Sequence, residues 1–164
     1  MIASPSSAPL GFFLVGYGLA GQTFHAPLIA ATPGLALRVV VSSRPEAVRV
    51  DLPEVEVLAN LDAALARADV DLIVVATPDA LHAEQSMQAL RAGKSVVVDK
   101  PFAANLAEAE AVAALAALAP GVFSVFQNRR WDADFLTLRR LIADGALGEI
   151  AVYESHFDRF RPTV

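Results

Sequence analysis

Three groups of residues in this chain have the types and spacing to do chemistry, and the first is a glycine-rich turn. Gly16-Tyr17-Gly18-Leu19-Ala20-Gly21 follows an apolar run and opens a stretch with helical spacing. G-x-G-x-x-G is weak alone, but between a strand and a helix it has the context of a dinucleotide fingerprint. Gly16 allows a tight turn, Gly18 lets the backbone approach a pyrophosphate, and Gly21 lets the helix pack on the strand. The anion would meet the unpaired N–H groups and positive dipole end of that helix. Leu19 and Ala20 belong to the same cofactor-binding set. A turn that needs glycine only for packing is the plain alternative.

The second group stands about 20 residues further on, where an acid would grip an adenosine ribose 2′-OH. This chain has Ser42-Ser43-Arg44 there, and no acid between Leu35 and Pro45. Two hydroxyls and a guanidinium suit a 2′-phosphate, because Arg supplies charge-assisted donors. NADP is therefore the preferred cofactor over NAD, with a merely solvated Arg44 as the alternative.

The third group is Asp99-Lys100-Pro101, at the end of the apolar run Ser95–Val98. Ligands of open α/β sheets bind at the carboxyl ends of the strands. A lysine there can donate to a substrate oxygen and, if partly desolvated, join proton transfer. An ordinary surface lysine is the alternative. His25, beside Phe24 and Pro27, reads as a core or capping histidine. His82 divides between structure and cofactor positioning, and His156 reads as structural on a final strand. The three histidines are widely separated, so no metal site is expected. Trp131 and Phe135, at helical spacing, read as packing.

These residues need elements to hold them. Strand patterns fall at Leu10–Val15, Leu35–Val41, Val55–Leu58, Asp71–Ala76, Ser95–Val98 and Val122–Phe126. Helical patterns cover 19–31, about 79–92 with Gly93 as the stop, Leu106–Leu118 closed by Pro120-Gly121, and 132–143. Continuous Val/Ile/Leu strands separated by helices predict an α/β fold, a doubly wound parallel sheet covered on both faces. The segment 149–157 reads as one more strand without a pairing partner. Residues 1–127 are thus expected to form a dinucleotide-binding Rossmann domain. Residues 128–164 are expected to begin a truncated C-terminal domain for substrate binding and oligomerisation. An unpaired strand is a template for association, so a homo-oligomer is expected.

Composition narrows the function. The chain has 164 residues, 55% of them hydrophobic, which suits one domain with a sizeable core. Its net charge is −5 without any basic cluster, which argues against nucleic acid as a partner. The absence of cysteine excludes disulfides and thiol chemistry. The longest apolar stretch, Ala111–Ala119, is far short of the roughly 20 residues that cross a bilayer. With no signal-peptide pattern at Leu10–Val15, a cytoplasmic location is expected.

Four segments occur in order and carry a resemblance. They are Gly16–Gly21, Ala76-Thr77-Pro78-Asp79-Ala80-Leu81-His82, Gly93–Phe102 and Asn128-Arg129-Arg130-Trp131. Together they resemble the glucose–fructose oxidoreductase/inositol dehydrogenase (Gfo/Idh/MocA) family. The wording of 24–29 and 157–162 is similar to its scyllo-inositol-dehydrogenase-like branch. The resemblance implies an N-terminal NAD(P)-binding Rossmann domain and a C-terminal α/β domain. It also implies hydride exchange with a sugar, polyol or related small molecule. By motif, Gly16, Gly18 and Gly21 would hold the pyrophosphate, with Thr77, Pro78 and His82 on the nicotinamide-ribose side. Lys100 would be the catalytic lysine of a Glu-Lys-Pro motif, followed by a cis Pro101. Asp99 replaces that Glu and shortens its reach toward the ribose, and Asn128 and Arg129 would stand at the pocket rim. The family's acid and histidine partners to the lysine lie beyond Pro162, so the chain is expected to bind cofactor without turnover. A non-catalytic dinucleotide-binding module is the runner-up. A methyltransferase is disfavoured by Lys100-Pro101 after the fifth strand.

Overall fold

The computed structural model describes residues 8–158, 160 and 162. The chain divides into two compact units, Met1–Gln127 and Asn128–Val164.

The first unit is built on six parallel strands, β1 (Leu10–Val15), β2 (Leu35–Val41), β3 (Glu56–Leu58), β4 (Leu72–Val75), β5 (Ser95–Val98) and β6 (Phe123–Val125). Their order across the sheet is β3-β2-β1-β4-β5-β6. Side chains alternate between faces with a period of two, and both faces are apolar. Phe13, Val15, Val39, Ile73, Val75, Val96 and Val98 enter one core, whereas Leu14, Val40 and Val74 enter the other. Burial on both faces explains why these strands read as continuous apolar runs. Each such side chain contributes about 1.5–3 kcal/mol.

Helices supply the covering layers. A π-helical turn over Gly21–His25 leads into α1 (Ala26–Ala31), and α2 is Pro45–Asp51. Ala26, Ile29 and Val48 of this layer close the core around Leu14. On the other face lie α3 (Leu61–Leu65), α4 (His82–Arg91) and α5 (Leu106–Leu118), which contribute Ala64, Ala89, Leu90 and Leu115. Asn60 and Asn105 cap α3 and α5 by accepting from Ala63 N and Glu108 N, both at 3.0 Å.

Two helices are added to the expected elements, and two expectations need correction. Helices α2 and α3 were not legible, because five to seven residues are too few to show a 3.6-residue period. The helix after the glycine turn is not regular, since the Ala26 N–H bonds Gly21 O, one residue wider than an α-turn. The segment 149–157 makes no strand among the described residues. A strand is made by pairing in a ladder rather than by its own residue pattern.

The second unit holds a 3₁₀ turn over Asn128–Trp131, then α6 (Ala133–Ala143) and an irregular segment. Trp131 and Phe135 are exposed rather than packed. His156 is also exposed, with Glu154 and Asp158 about 4 Å away. Arg159 and Arg161, within the 157–162 wording, lie outside the described residues.

Candidate cofactor-binding site

The glycine turn sits at the carboxyl edge of the sheet, where the chain leaves β1 between β2 and β4. Connections run in opposite directions from this point, the switch at which open α/β sheets bind ligands. Gly16 donates its N–H to Val41 O at 2.9 Å and has φ +98°. A Cβ on Gly16 would stand 2.5 Å from Ala76 O, and one on Gly21 would stand 2.3 Å from Gly16 O. The fold itself therefore demands glycine at both positions.

Gly18 is different. Its φ is not in the left-handed region, and a Cβ there would meet nothing within 4 Å. Each of the other eight glycines has either a positive φ or a close neighbour that explains it. The protein's own packing thus does not require glycine at position 18. An open space beside backbone N–H groups at a helix start fits a pyrophosphate. Leu19 beside it is 79% exposed, while Ala20 is half-buried against the core around Leu14.

At the end of β2, Ser42 is buried and its Oγ accepts from Arg44 N at 3.0 Å. Ser43 is exposed. The Arg44 guanidinium donates through Nη2 to Tyr17 O at 2.8 Å, so it lies over the glycine turn itself. Tyr17 is held in turn, its hydroxyl donating to Asp51 Oδ2 at 3.1 Å while Gln22 Nε2 donates to the same oxygen at 2.6 Å. Burial, reinforced by the Asp51 carboxylate, pushes the Tyr17 hydroxyl up to about 12. Neither Asp51 nor Gln22 was singled out from the sequence, because only the fold brings them to the turn.

Beyond β4 and β5 the loops are tied together. His82 is fully buried, and its two ring nitrogens lie 2.7 Å from Thr77 O and 2.7 Å from Pro101 O. It holds the loop after β4 to the loop after β5 and stands behind both. Thr77 Oγ1 donates to Gln85 Oε1 at 2.7 Å, and Pro78 starts the turn into α4. The Lys100–Pro101 peptide bond is cis, as the resemblance implies. Lys100 and Pro101 are exposed at the edge, so Lys100 is not desolvated within this chain. Asp99 is nearly buried, and its Oδ1 pairs with His25 Nε2 at 3.0 Å. The His25 ring also rests on Phe126, with centroids 4.4 Å apart.

Asn128 and Arg129 belong to the second unit. There Arg129 donates to Asp132 Oδ2 at 2.9 Å and lies over the Phe157 ring at 5.2 Å. Among the described residues, no cluster of three or more His, Cys, Asp or Glu could hold a metal ion.

Known proteins match this arrangement. Residues 10–127 match the Gfo/Idh/MocA model, described as an oxidoreductase family with an NAD-binding Rossmann fold. The uncharacterized oxidoreductase YdgJ of Escherichia coli K12 is 53% identical over 151 residues, covering 92% of this chain and 44% of that protein. The scyllo-inositol 2-dehydrogenase (NADP(+)) IolW of Bacillus subtilis 168 is 38% identical over 151 residues, covering 92% and 42%. The solved structure of the YPO2259 oxidoreductase from Yersinia pestis superposes with a TM-score of 0.93 at 46% identity, covering 99% and 46%. This chain spans less than half the length of each of these relatives. A parallel sheet wound about a glycine turn, with the family's sequence along 10–127, makes the chain a member of the Gfo/Idh/MocA oxidoreductase family, with its NAD-binding Rossmann fold.

Proposed function

We propose that this chain is the cofactor-binding part of an NADP-preferring dehydrogenase acting on a sugar, polyol or related small molecule in the cytoplasm. Gly18 carries the cofactor half of this reading: nothing in the protein requires glycine there, and a pyrophosphate would. The exposed Leu19 beside it is an apolar side chain that such a ligand would cover. Arg44 supports the 2′-phosphate, since its guanidinium is already held above the turn by Tyr17 O. The NADP(+) in the name of IolW favours the same preference. In this reading residues 1–127 are the dinucleotide-binding domain, and residues 128–164 belong to the substrate side with Asn128 and Arg129 at its rim.

When bound, the nicotinamide supplies or accepts hydride at C4. Lys100 would hold the substrate oxygen and take or give its proton, a contribution of about 10²–10⁴-fold. Asp99 would meet the nicotinamide ribose, and Thr77 and Pro78 would line the same side. His82 would act through the two loops that it ties together.

Fluorescence titration of the 164-residue chain with NADPH and NADH tests the proposal. Tighter NADPH binding without sugar or polyol turnover is expected. Failure to bind either nucleotide would overturn the cofactor reading, and robust turnover would overturn the division of labour. In a full-length enzyme carrying this half, Lys100→Met should lower kcat by about 10²–10⁴-fold. Its NADPH affinity should stay within a few-fold, and an active variant would remove the catalytic role.

A further inference from the structure

His25 and Asp99 are 74 residues apart in the chain and meet at the carboxyl edge of the sheet. We infer that His25 is a positioning residue, which orients Asp99 so that one carboxylate oxygen faces the nicotinamide half of the cofactor. The inference rests on the dinucleotide reading above and deepens it.

Location comes first. The adenosine half of a dinucleotide lies over the strands that follow the glycine turn, and here Arg44 at the end of β2 marks that side. The other half falls over β4, β5 and β6. Asp99 directly follows β5, and Phe126 directly follows β6. His25 reaches both from the helix that opens at the glycine turn. It is therefore a direct link between the pyrophosphate turn and the nicotinamide edge.

The local geometry has a cause. The π-turn over Gly21–His25 adds one residue to the first helical turn. One extra residue rotates the following positions by about 100°. His25, the last residue of this turn, is buried. Such widened turns occur frequently at functional sites.

The chemistry follows from the bond. The His25 side chain is 5% exposed and that of Asp99 is 16% exposed, so this carboxylate needs a partner inside the protein. His25 engages Oδ1 and fixes the carboxylate plane through one oxygen, which leaves Oδ2 to accept a ribose hydroxyl. A short aspartate has few rotamers, so one fixed oxygen determines where the other points. The Phe126 ring holds the imidazole from the side.

The test compares NADPH with 2′,5′-ADP, which carries the adenosine half alone. His25→Phe keeps an aromatic ring against Phe126 and removes the N–H. It should weaken NADPH by about 10- to 150-fold, the loss of the one hydrogen bond that a misdirected Asp99 carboxylate no longer makes to the cofactor. Binding of 2′,5′-ADP should stay within twofold, and His25→Gln should restore most of the NADPH affinity. In an Asp99→Ala background, His25→Phe should cost nothing further. Equal losses for both ligands, or additive losses in the double variant, would show His25 to be structural and overturn the inference. If wild-type protein binds 2′,5′-ADP and His25→Phe leaves NADPH affinity unchanged, the dinucleotide reading survives and the positioning role does not. If wild-type protein binds neither ligand, both fall.

Discussion

Gly18→Ala separates what the fold needs from what a ligand needs. A Cβ at Gly18 would touch nothing within 4 Å, and the backbone there is not left-handed. The substitution should therefore leave the fold intact and can stabilise it by about 0.4–1 kcal/mol, by reducing the freedom of the unfolded chain. Gly16→Ala is the control. Its Cβ would sit 2.5 Å from Ala76 O at φ +98°, so it should lose more than about 1 kcal/mol. At about 2–8 °C per kcal/mol, thermal melting distinguishes a rise from a fall. Cofactor binding should reverse the order of effects. A methyl forced between the Gly18 backbone and a pyrophosphate is an overpacking of about 1–3 kcal/mol. That corresponds to roughly 5- to 150-fold in NADPH affinity by fluorescence titration. A Gly18→Ala protein that binds NADPH within twofold of wild type would refute the reasoning, as would one that melts like Gly16→Ala.

Other outcomes follow from single contacts. Arg44→Ala should weaken NADPH by about 1.5–3 kcal/mol, the range for a hydrogen bond to a charged group, and leave NADH unchanged in parallel titrations. Equal losses for both nucleotides would place Arg44 elsewhere than at a 2′-phosphate. His82→Leu leaves Thr77 O and Pro101 O without their imidazole partner. A neutral imidazole has one N–H, so one of the two carbonyls loses its donor, and urea denaturation should show a loss of about 1–3 kcal/mol. Tyr17 titrates at about 12 in the folded chain and at 10.0 ordinarily, so the folded state holds its proton longer. Its contribution to stability is full below pH 10 and falls between pH 10 and about 12. Tyr17→Phe should flatten that part of the alkaline stability curve.

The order and type of the long elements were legible because their causes are local. β1, β4, β5 and the Val39-Val40-Val41 end of β2 send apolar side chains into a core on each face, and a stretch covered on both faces reads as a nearly continuous apolar run. Gly16 could be recognised in the same way, since a turn between a strand and a helix constrains its residues by covalent geometry. The short helices α2 and α3 were not legible, because a helix of one or two turns is held by caps and packing rather than by its own period. The segment 149–157 has a strand's pattern and is not assigned as a strand among the described residues. Pattern supplies only a propensity, and pairing has to come from another strand.

Residue types marked the candidate cofactor site, but tertiary structure decided how its parts are held. The Gly-x-Gly-x-x-Gly spacing alone could not separate Gly18 from Gly16 and Gly21. The distinction appears only when Ala76 O and Gly16 O are seen to crowd two of the three. Arg44 was legible as a charge after β2, whereas its bond to Tyr17 O depends on β1 and β2 lying side by side. His25 read as a core or capping histidine, and it is buried, but its partner Asp99 stands at the end of a strand 74 residues away. A helical period or a turn signal extends over a few residues. Contacts between distant strand ends are set by the order β3-β2-β1-β4-β5-β6, which no local run of side chains encodes.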